Sequence, residues 1–267
     1  MDDQYFDSAG VPIRYVERGA GDAVVLVHSY TSNLGAQWVQ SGMFDALARA
    51  HRVIAFDLRG HGRSAKPHTP DGYGPQMALD IVRLLDHLRI DKAHAVGYSL
   101  GAHIVAQLLT LAPQRMRSAV LGGGTGRRDW TADDDRRAEV EAAEIEQGLL
   151  TTQLSRLRNP PPARDEIESL SRRYLAGQDC LALAAVRRSN RAQVVTGEAI
   201  AAAGVPVLAI VGSDDPYLAS ADALKKVMPA LELVVVQGAN HFTLSGTAAF
   251  AEAVERFLAA RMKIHSD

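Results

Sequence analysis

The feature that most constrains the fold is a repeated alternation of short apolar segments with longer amphipathic ones. The short segments are rich in β-branched residues and occupy 23–27, 53–56, 93–96, 119–121, 207–211 and 233–236. Such segments are typical of parallel strands that are covered on both faces. Helical patterns occupy 43–49, 73–88, 100–111, 219–227 and 247–262. Strand followed by helix, repeated along the chain, predicts a doubly wound, mostly parallel α/β sheet.

Two regions depart from this alternation. Residues 11–17 alternate apolar and polar side chains after Ser8-Ala9-Gly10, which predicts an antiparallel hairpin at the N-terminus and about eight strands in total. Residues 126–204 show no strand pattern and predict about four helices, divided at Asn159-Pro160-Pro161-Pro162 because proline cannot continue a helix. We therefore expect one core, 1–125 and 205–267, with a helical cap inserted at 126–204.

Composition excludes several function classes. A chain of 267 residues with 47% hydrophobic residues can bury one large core. Its net charge of -2 argues against a nucleic-acid or membrane-surface partner. The single cysteine, Cys180, forms no internal disulfide, and no histidine has a metal-ligand spacing, so we expect neither a metal nor another cofactor. The start lacks a signal-peptide pattern, and no apolar run reaches the ~20 residues of a membrane span, so we expect a cytoplasmic protein. The sequence does not distinguish a monomer from a homodimer.

The segment Gly97-Tyr98-Ser99-Leu100-Gly101 lies where the apolar segment 93–96 ends and a helix begins. A glycine-flanked serine at such a tight turn is typical of a nucleophile held in strained backbone geometry. The free N–H groups and the positive dipole end of the following helix point to the same place, where an oxyanion would form. The segment therefore predicts a nucleophilic serine.

A serine hydroxyl is a weak nucleophile, so it needs a base to accept its proton and a carboxylate to orient that base. Gly212-Ser213-Asp214-Asp215-Pro216 follows one predicted strand, and Gln237-Gly238-Ala239-Asn240-His241-Phe242 follows the next. Open α/β sheets gather their sites at the carboxyl ends of the strands. We therefore expect Ser99, His241 and one of the two aspartates to meet there.

With these motifs the sequence resembles the α/β-hydrolase superfamily over essentially its whole length, close to small bacterial esterase-like members with a helical cap. The matching features are the His28-Ser29-Tyr30 loop, the 57–64 loop, the serine turn and the Gly-x-x-Asp and Gly-x-x-His turns. The resemblance implies that Ser99 is the nucleophile, Asp215 rather than Asp214 the acid, and His241 the base. It also implies that the backbone N–H groups of Tyr30 and Leu100 bind the oxyanion.

One residue departs from the family pattern, which usually has glycine after the histidine of the oxyanion loop. Ser29 stands there instead. Because a side chain restricts the backbone, the Tyr30 N–H could be displaced, or the Ser29 hydroxyl could contribute to binding. The other eight histidines are expected to be loop-shaping, surface or hydrogen-bonded polar residues.

Several large side chains allow two interpretations, as the lining of a substrate pocket or as core. They are Trp38, Tyr98, Trp130, Tyr217, Leu218 and Phe242. Arginine pairs in the cap, 127–128, 136–137, 172–173 and 187–188, suggest an anionic substrate such as a coenzyme A thioester. Because many acidic residues offset them, a solvated helix face is the favoured interpretation.

These expectations together predict a serine hydrolase that cleaves a small to medium carboxylic ester through an acyl-enzyme. The same three residues support hydrolysis of a carbon-carbon bond, a lactone or a thioester. A ligand receptor without catalytic activity, built on the same scaffold, is the alternative from a different class.

Overall fold

A computed structural model describes residues 2–127, 129–158 and 160–262. Arg128 and Asn159, named above, lie outside this range, as does His265, one of the eight other histidines. The strands are β1 Gln4–Asp7, β2 Pro12–Arg18, β3 Ala23–Val27, β4 Arg52–Phe56, β5 Ala93–Tyr98, β6 Met116–Gly122, β7 Val207–Gly212 and β8 Glu232–Val236. They form one sheet in the order β1-β2-β4-β3-β5-β6-β7-β8. The first two pairings, β1 with β2 and β2 with β4, are antiparallel, and the others are parallel.

Helices surround the sheet. They are α1 Met43–Leu47, α2 Pro75–His87, α3 Leu100–Leu111, α4 Ala132–Glu146, α5 Thr151–Leu157, α6 Arg164–Leu175, α7 Cys180–Arg188, α8 Gly197–Ala202, α9 Leu218–Val227 and α10 Ala248–Met262. No described helix combines the length and the apolar composition that crossing a bilayer requires.

The strands are apolar on both faces because each face packs against helices. Alternate residues of β3 belong to different core clusters: Val25 lies with side chains of α2 and α3, whereas Leu26 lies with side chains of α1 and α10. All five β3 residues are buried. The prediction of a doubly wound, mostly parallel sheet with an N-terminal antiparallel hairpin is confirmed.

The segment between β6 and β7 is helical, as its composition indicated. Within its described residues it carries five α-helices, α4 to α8, rather than about four. The sequence estimate was low because α8, of six residues, is too short to show a helical repeat. An isolated parallel bridge joins Arg127, before α4, to Val194, before α8.

Candidate active site

The site is built on the turn between β5 and α3. Ser99 has a φ of 53°, one of the few positive values at a non-glycine residue among those described. This backbone is strained for a residue with a Cβ. A Cβ at Gly97 would overlap the Gly101 carbonyl oxygen, and one at Gly101 would overlap the carbonyl oxygen of Val27 in β3. Glycine at both positions therefore permits the turn and brings α3 close to the sheet.

The structure brings the serine, a histidine and an aspartate together. The Ser99 Oγ lies 2.9 Å from the His241 Nε2, and the His241 Nδ1 lies 3.0 Å from the Asp215 Oδ2. His241 and Asp215 are buried, whereas Ser99 is partly exposed. Both distances are within hydrogen-bond range, so the histidine bridges the hydroxyl and the carboxylate. This arrangement is suited to moving a proton from the serine to the imidazole.

The loop after β7 distinguishes the two aspartates. Asp215 is buried, and its Oδ1 accepts a hydrogen bond of 3.0 Å from the Tyr217 N–H. This bond leaves Oδ2 to face the imidazole. Asp214 is exposed and accepts instead from the hydroxyl of Ser213. The structure therefore places Asp215, and not Asp214, against His241.

The loop after β8 is fixed by a neighbour of the serine. The Tyr98 hydroxyl donates a hydrogen bond of 2.6 Å to the His241 carbonyl oxygen. Burial raises the pKa of Tyr98, so the phenol keeps its proton and remains a donor. Tyr98 also packs edge to face on Phe250 of α10. One buried side chain thus couples the β5 turn to the loop that carries His241.

Tyr30 and Leu100 both border the narrow space next to Ser99. Leu100 is the first residue of α3, so its N–H has no partner within the helix. The Ser29 hydroxyl donates to the Gln37 Oε1 at 2.7 Å, which commits its proton to a protein acceptor. Ser29 is not among the described residues with positive φ, so this backbone does not require glycine.

His28 shapes this loop as expected. It is fully buried, its Nδ1 lies 2.7 Å from the Ser29 carbonyl oxygen, and its Nε2 accepts from the Leu58 N–H at 3.0 Å. Asp57 is likewise structural, because it accepts from the N–H groups of Leu34 and Arg63. Neither residue is placed to act on Ser99.

A cavity of about 190 Å³ opens at Ser99. Ser29, Tyr98 and Phe242 border it, as the pocket interpretation expected. Trp38 does not, because its side chain is buried in the core between the sheet and α1. The pocket interpretation was wrong for Trp38, because the helical turn that carries it packs against the core and not toward Ser99.

Three other candidate pocket residues do not border this cavity. Leu218 begins α9 and borders no cavity at Ser99, so the pocket interpretation was wrong for it as well. Trp130 borders a second, larger cavity of about 420 Å³. Tyr217 borders that second cavity and also the narrow space next to Ser99.

Sequence reasoning missed several residues that border the Ser99 cavity. Gln153, Leu157 and Tyr174 lie on α5 and α6 and face it from the helical segment. Gln37 and Ser245 border it from the core, where the Gln37 Nε2 donates to the Ser245 Oγ at 3.1 Å. None belongs to a motif, and no local pattern identified them.

Three histidines correct the sequence interpretation. His51, His94 and His103 are buried, and each has a ring nitrogen without a hydrogen-bond partner in the described chain. The expectation that they are surface or hydrogen-bonded residues was therefore wrong. Burial lowers the pKa of all three, which keeps the imidazoles neutral. His103 lies one helical turn after Ser99, since its N–H donates to the Ser99 carbonyl oxygen at 3.1 Å.

The arginines of the helical segment also differ from expectation. Arg136 is exposed, as expected, but Arg187 is buried and Arg127 is partly buried. Arg127 and Arg187 border the narrow space next to Ser99, and so does Arg156. A solvated helix face is therefore wrong for Arg127 and Arg187. The periodicity of a single helix does not show which neighbouring helices cover it. Over the described residues, no group of three or more histidine, cysteine or acidic side chains is arranged to hold a metal ion.

Known proteins resemble this chain in sequence and in fold. The family model described as alpha/beta hydrolase fold matches residues 22–245. The putative non-heme bromoperoxidase BpoC of Mycobacterium tuberculosis is 33% identical over 49% of this chain and 49% of its own length. The putative carbamate hydrolase RutD of Caulobacter vibrioides is 33% identical over 48% of this chain and 45% of its own. The chain thus spans about half the length of these curated relatives.

Solved structures match over nearly the whole chain. A carboxylesterase structure from the thaumarchaeon Nitrososphaera gargenis has a TM-score of 0.77 at 24% identity, covering 98% of this chain and 99% of that one. The enol-lactonase of Burkholderia xenovorans has a TM-score of 0.77 at 22% identity, covering 96% and 100%. At such identities the likeness shows the fold.

Proposed function

The chain belongs to the α/β-hydrolase fold family, and from its site we propose a serine hydrolase that cleaves a carboxylic ester of small to medium size through an acyl-enzyme. The observation that carries the proposal is the bridge from the Ser99 Oγ through His241 to Asp215, with distances of 2.9 Å and 3.0 Å. A buried carboxylate that orients an imidazole against a strained serine has the geometry of nucleophilic catalysis.

The reaction proceeds in two halves. The Ser99 Oγ attacks the ester carbonyl carbon while the His241 Nε2 takes the hydroxyl proton, and Asp215 stabilises the imidazolium that results. The bond to the alcohol oxygen then breaks, and His241 returns the proton to the departing alcohol. A water molecule attacks the acyl-enzyme with His241 again as base, which releases the acid and restores the serine.

The backbone N–H groups of Tyr30 and Leu100 are the proposed oxyanion donors. Both residues border the space next to Ser99, and the Leu100 N–H lies at the positive end of the α3 dipole. A donor aimed at the developing charge contributes roughly 3 kcal/mol to transition-state stabilisation. The Ser29 hydroxyl is not an oxyanion donor in this proposal, because it already donates its hydrogen bond to the Gln37 Oε1.

Residues 126–204 are the proposed cap. Gln153 and Leu157 of α5 and Tyr174 of α6 border the Ser99 cavity, so helices of this segment cover the nucleophile. The cavity at Ser99, about 190 Å³, is small beside the several hundred Å³ of a pocket for a drug-sized ligand. This size supports a substrate with a short acyl group.

Relatives with this fold have names that refer to different bonds, among them carbamate hydrolase, enol-lactonase and carboxylesterase. An activity panel separates these bonds from the alternatives predicted for this chain. It contains 4-nitrophenyl esters, a γ-lactone, an acyl thioester and a vinylogous diketone. Highest kcat/KM on the esters is the expected result, and turnover of the diketone alone would replace the proposal with carbon-carbon bond hydrolysis.

A fluorophosphonate probe followed by peptide mass spectrometry tests the nucleophile. The wild-type protein should carry the label on Ser99, and Ser99→Ala should remain unlabelled. Ser213→Ala is the matched control, because this serine hydroxyl donates to Asp214 rather than to His241. Labelling at another residue contradicts the proposal, and ligand retention without any turnover favours the receptor alternative.

A further inference from the structure

Three arginines meet next to the nucleophile in an arrangement that ester hydrolysis does not itself require. Arg127, Arg156 and Arg187 border a narrow space of about 20 Å³ that also touches Ser99 and Leu100. We call this space the arginine neck. It lies between the Ser99 cavity and the larger cavity of about 420 Å³, since it shares lining residues with each.

The positive charge at the neck is only partly neutralised. Glu141 is buried, and its Oε2 lies 3.0 Å from the Arg187 Nε while its Oε1 lies 3.4 Å from the Arg156 Nε. Arg127 has no ion pair with any described carboxylate, and its Nε donates only to the amide oxygen of Gln193 at 3.3 Å. One carboxylate therefore faces three guanidinium groups, which leaves about two positive charges at a partly buried place beside Ser99.

Besides Glu141, two acidic residues, Asp134 and Asp129, border the larger cavity. Asp134 forms an ion pair with Arg137. Its Oδ2 also accepts a hydrogen bond of 2.8 Å from the Thr131 N–H in the N-terminal cap of α4. Asp129 is exposed. No carboxylate is among the described residues that border the neck itself. The excess positive charge is therefore concentrated on the side of the cavity nearest Ser99.

Neighbouring groups respond to this excess charge. Burial, together with Arg187 and Arg156, lowers the pKa of Arg127 to about 10. Burial alone would raise the pKa of Tyr217, but Arg156 and Arg127 lower it. The Arg156 guanidinium also donates to the Tyr217 hydroxyl at 3.3 Å. The lowered pKa of Tyr217 is the shift expected beside cations, whereas burial is the largest cause of the lowered pKa of Arg127.

The neck is connected directly to the proposed catalytic groups. The Arg187 guanidinium carbon lies 4.2 Å from the centre of the Tyr30 ring, on the residue that supplies an oxyanion N–H. The Tyr217 ring lies 5.3 Å from the His241 ring and 5.5 Å from the His103 ring. Burial holds the pKa of His103 well below its ordinary value, and its Nδ1 has no hydrogen-bond partner in the part of the chain that the structure describes. His103 also borders the neck. A group bound in the neck would therefore border Ser99 itself.

We propose that the arginine neck binds a carboxylate carried by the acyl group of the substrate, so that the protein hydrolyses half-esters of short dicarboxylic acids. This proposal rests on the proposed function and adds the substrate class. Guanidinium groups match the planar carboxylate, with two parallel hydrogen bonds to its oxygens. A neck of about 20 Å³ accommodates a group little larger than a water molecule, which favours a terminal carboxylate over a nucleotide-bearing thioester.

The test compares two substrates of equal length, mono-4-nitrophenyl glutarate and the neutral methyl ketone 4-nitrophenyl 5-oxohexanoate, in which a methyl group replaces one carboxylate oxygen. Release of nitrophenolate is the readout. The wild-type kcat/KM should favour the anionic substrate by about 10-fold or more. Arg127→Met should lower that preference by about 10- to 100-fold, which is the loss expected for a charge-assisted hydrogen bond. Because the readout is a ratio, a general loss of activity does not affect it.

Arg136→Met is the matched control, since Arg136 is exposed on α4 and does not border the neck. It should retain the wild-type preference. Equal use of the two substrates by the wild-type protein, or a preference that Arg127→Met leaves intact, would overturn the inference.

Calorimetry separates a failure of this inference from a failure of the proposed function. If no ester is cleaved, the hydrolase proposal fails. The carboxylate site is then tested separately, by titrating glutarate into the Ser99→Ala variant. Binding that weakens at least about 10-fold when Arg127→Met is added supports a carboxylate site. No heat of binding, or tighter binding of inorganic phosphate than of glutarate, overturns it.

Discussion

Replacing Glu141 with glutamine is expected to destabilise the protein by about 3 kcal/mol, because it removes the one carboxylate that compensates the buried arginines. Glutamine has nearly the same shape, so packing is preserved and only the charge is lost. Removing one partner of a buried ion pair costs about 3–5 kcal/mol. Arg187 is almost fully buried, but the Arg156 side chain is 31% exposed, so water screens part of the charge and the lower end applies.

Urea denaturation followed by tryptophan fluorescence measures this effect. A loss of about 3 kcal/mol corresponds to a fall in Tm of roughly 6–12 °C for a chain of this size. The matched control is Glu139→Gln, whose carboxylate is 62% exposed and pairs with Arg188 at the surface. The control should lose no more than about 1 kcal/mol. A loss below 1 kcal/mol for Glu141→Gln would refute the reasoning, because the arginines would then not depend on this carboxylate.

The same ion pairs give a pH dependence with a defined sign. Burial would raise the pKa of Glu141, but Arg187 and Arg156 lower it below its ordinary value of 4.5. A carboxyl group with a lowered pKa in the folded state stabilises the fold above the unfolded-state pKa, and this contribution disappears as the pH falls through the folded value. The stability difference between wild type and Glu141→Gln should therefore be largest above pH 4.5 and shrink below it.

Three further variants test the site. Asp215→Asn should lower kcat by about 10⁴-fold in a 4-nitrophenyl ester assay, because the amide orients the wrong imidazole tautomer, whereas Asp214→Asn should retain wild-type turnover. Gly101→Ala should lower the free energy of unfolding in urea by about 1–3 kcal/mol, since the added methyl group overlaps a β3 carbonyl oxygen; unchanged stability would mean that the turn tolerates a Cβ. Tyr98→Phe should lose about 1 kcal/mol of stability and also some kcat, because the His241 carbonyl oxygen loses its donor; a variant with wild-type values for both would show that this bond does not position His241.

The sequence was informative where function depends on local geometry. The turn at Ser99 needs glycine at particular offsets, and the strand before it and the helix after it are both visible as local patterns. Asp215 and His241 follow apolar strands, and parallel strands bring their carboxyl ends to one edge of the sheet. The meeting of these three residues follows from that topology.

The helical segment was less predictable because its contacts are between helices. Arg156 belongs to no motif, yet the packing of α5 brings it beside Glu141 of α4 and Tyr217 at the start of α9. Arg187 lies in a helix with charged residues and was assigned to solvent, although α4 covers it. Helical periodicity identifies a polar face but does not identify what packs on that face.

Intact-protein mass spectrometry after rapid quenching tests the central claim most directly. During turnover of a slowly hydrolysed 4-nitrophenyl ester, the wild-type protein should gain the mass of one acyl group, located on the peptide that contains Ser99, with a matching burst of nitrophenolate. Hydrolysis with neither an adduct nor a burst in wild type, together with equal turnover by Ser99→Ala, would contradict the account.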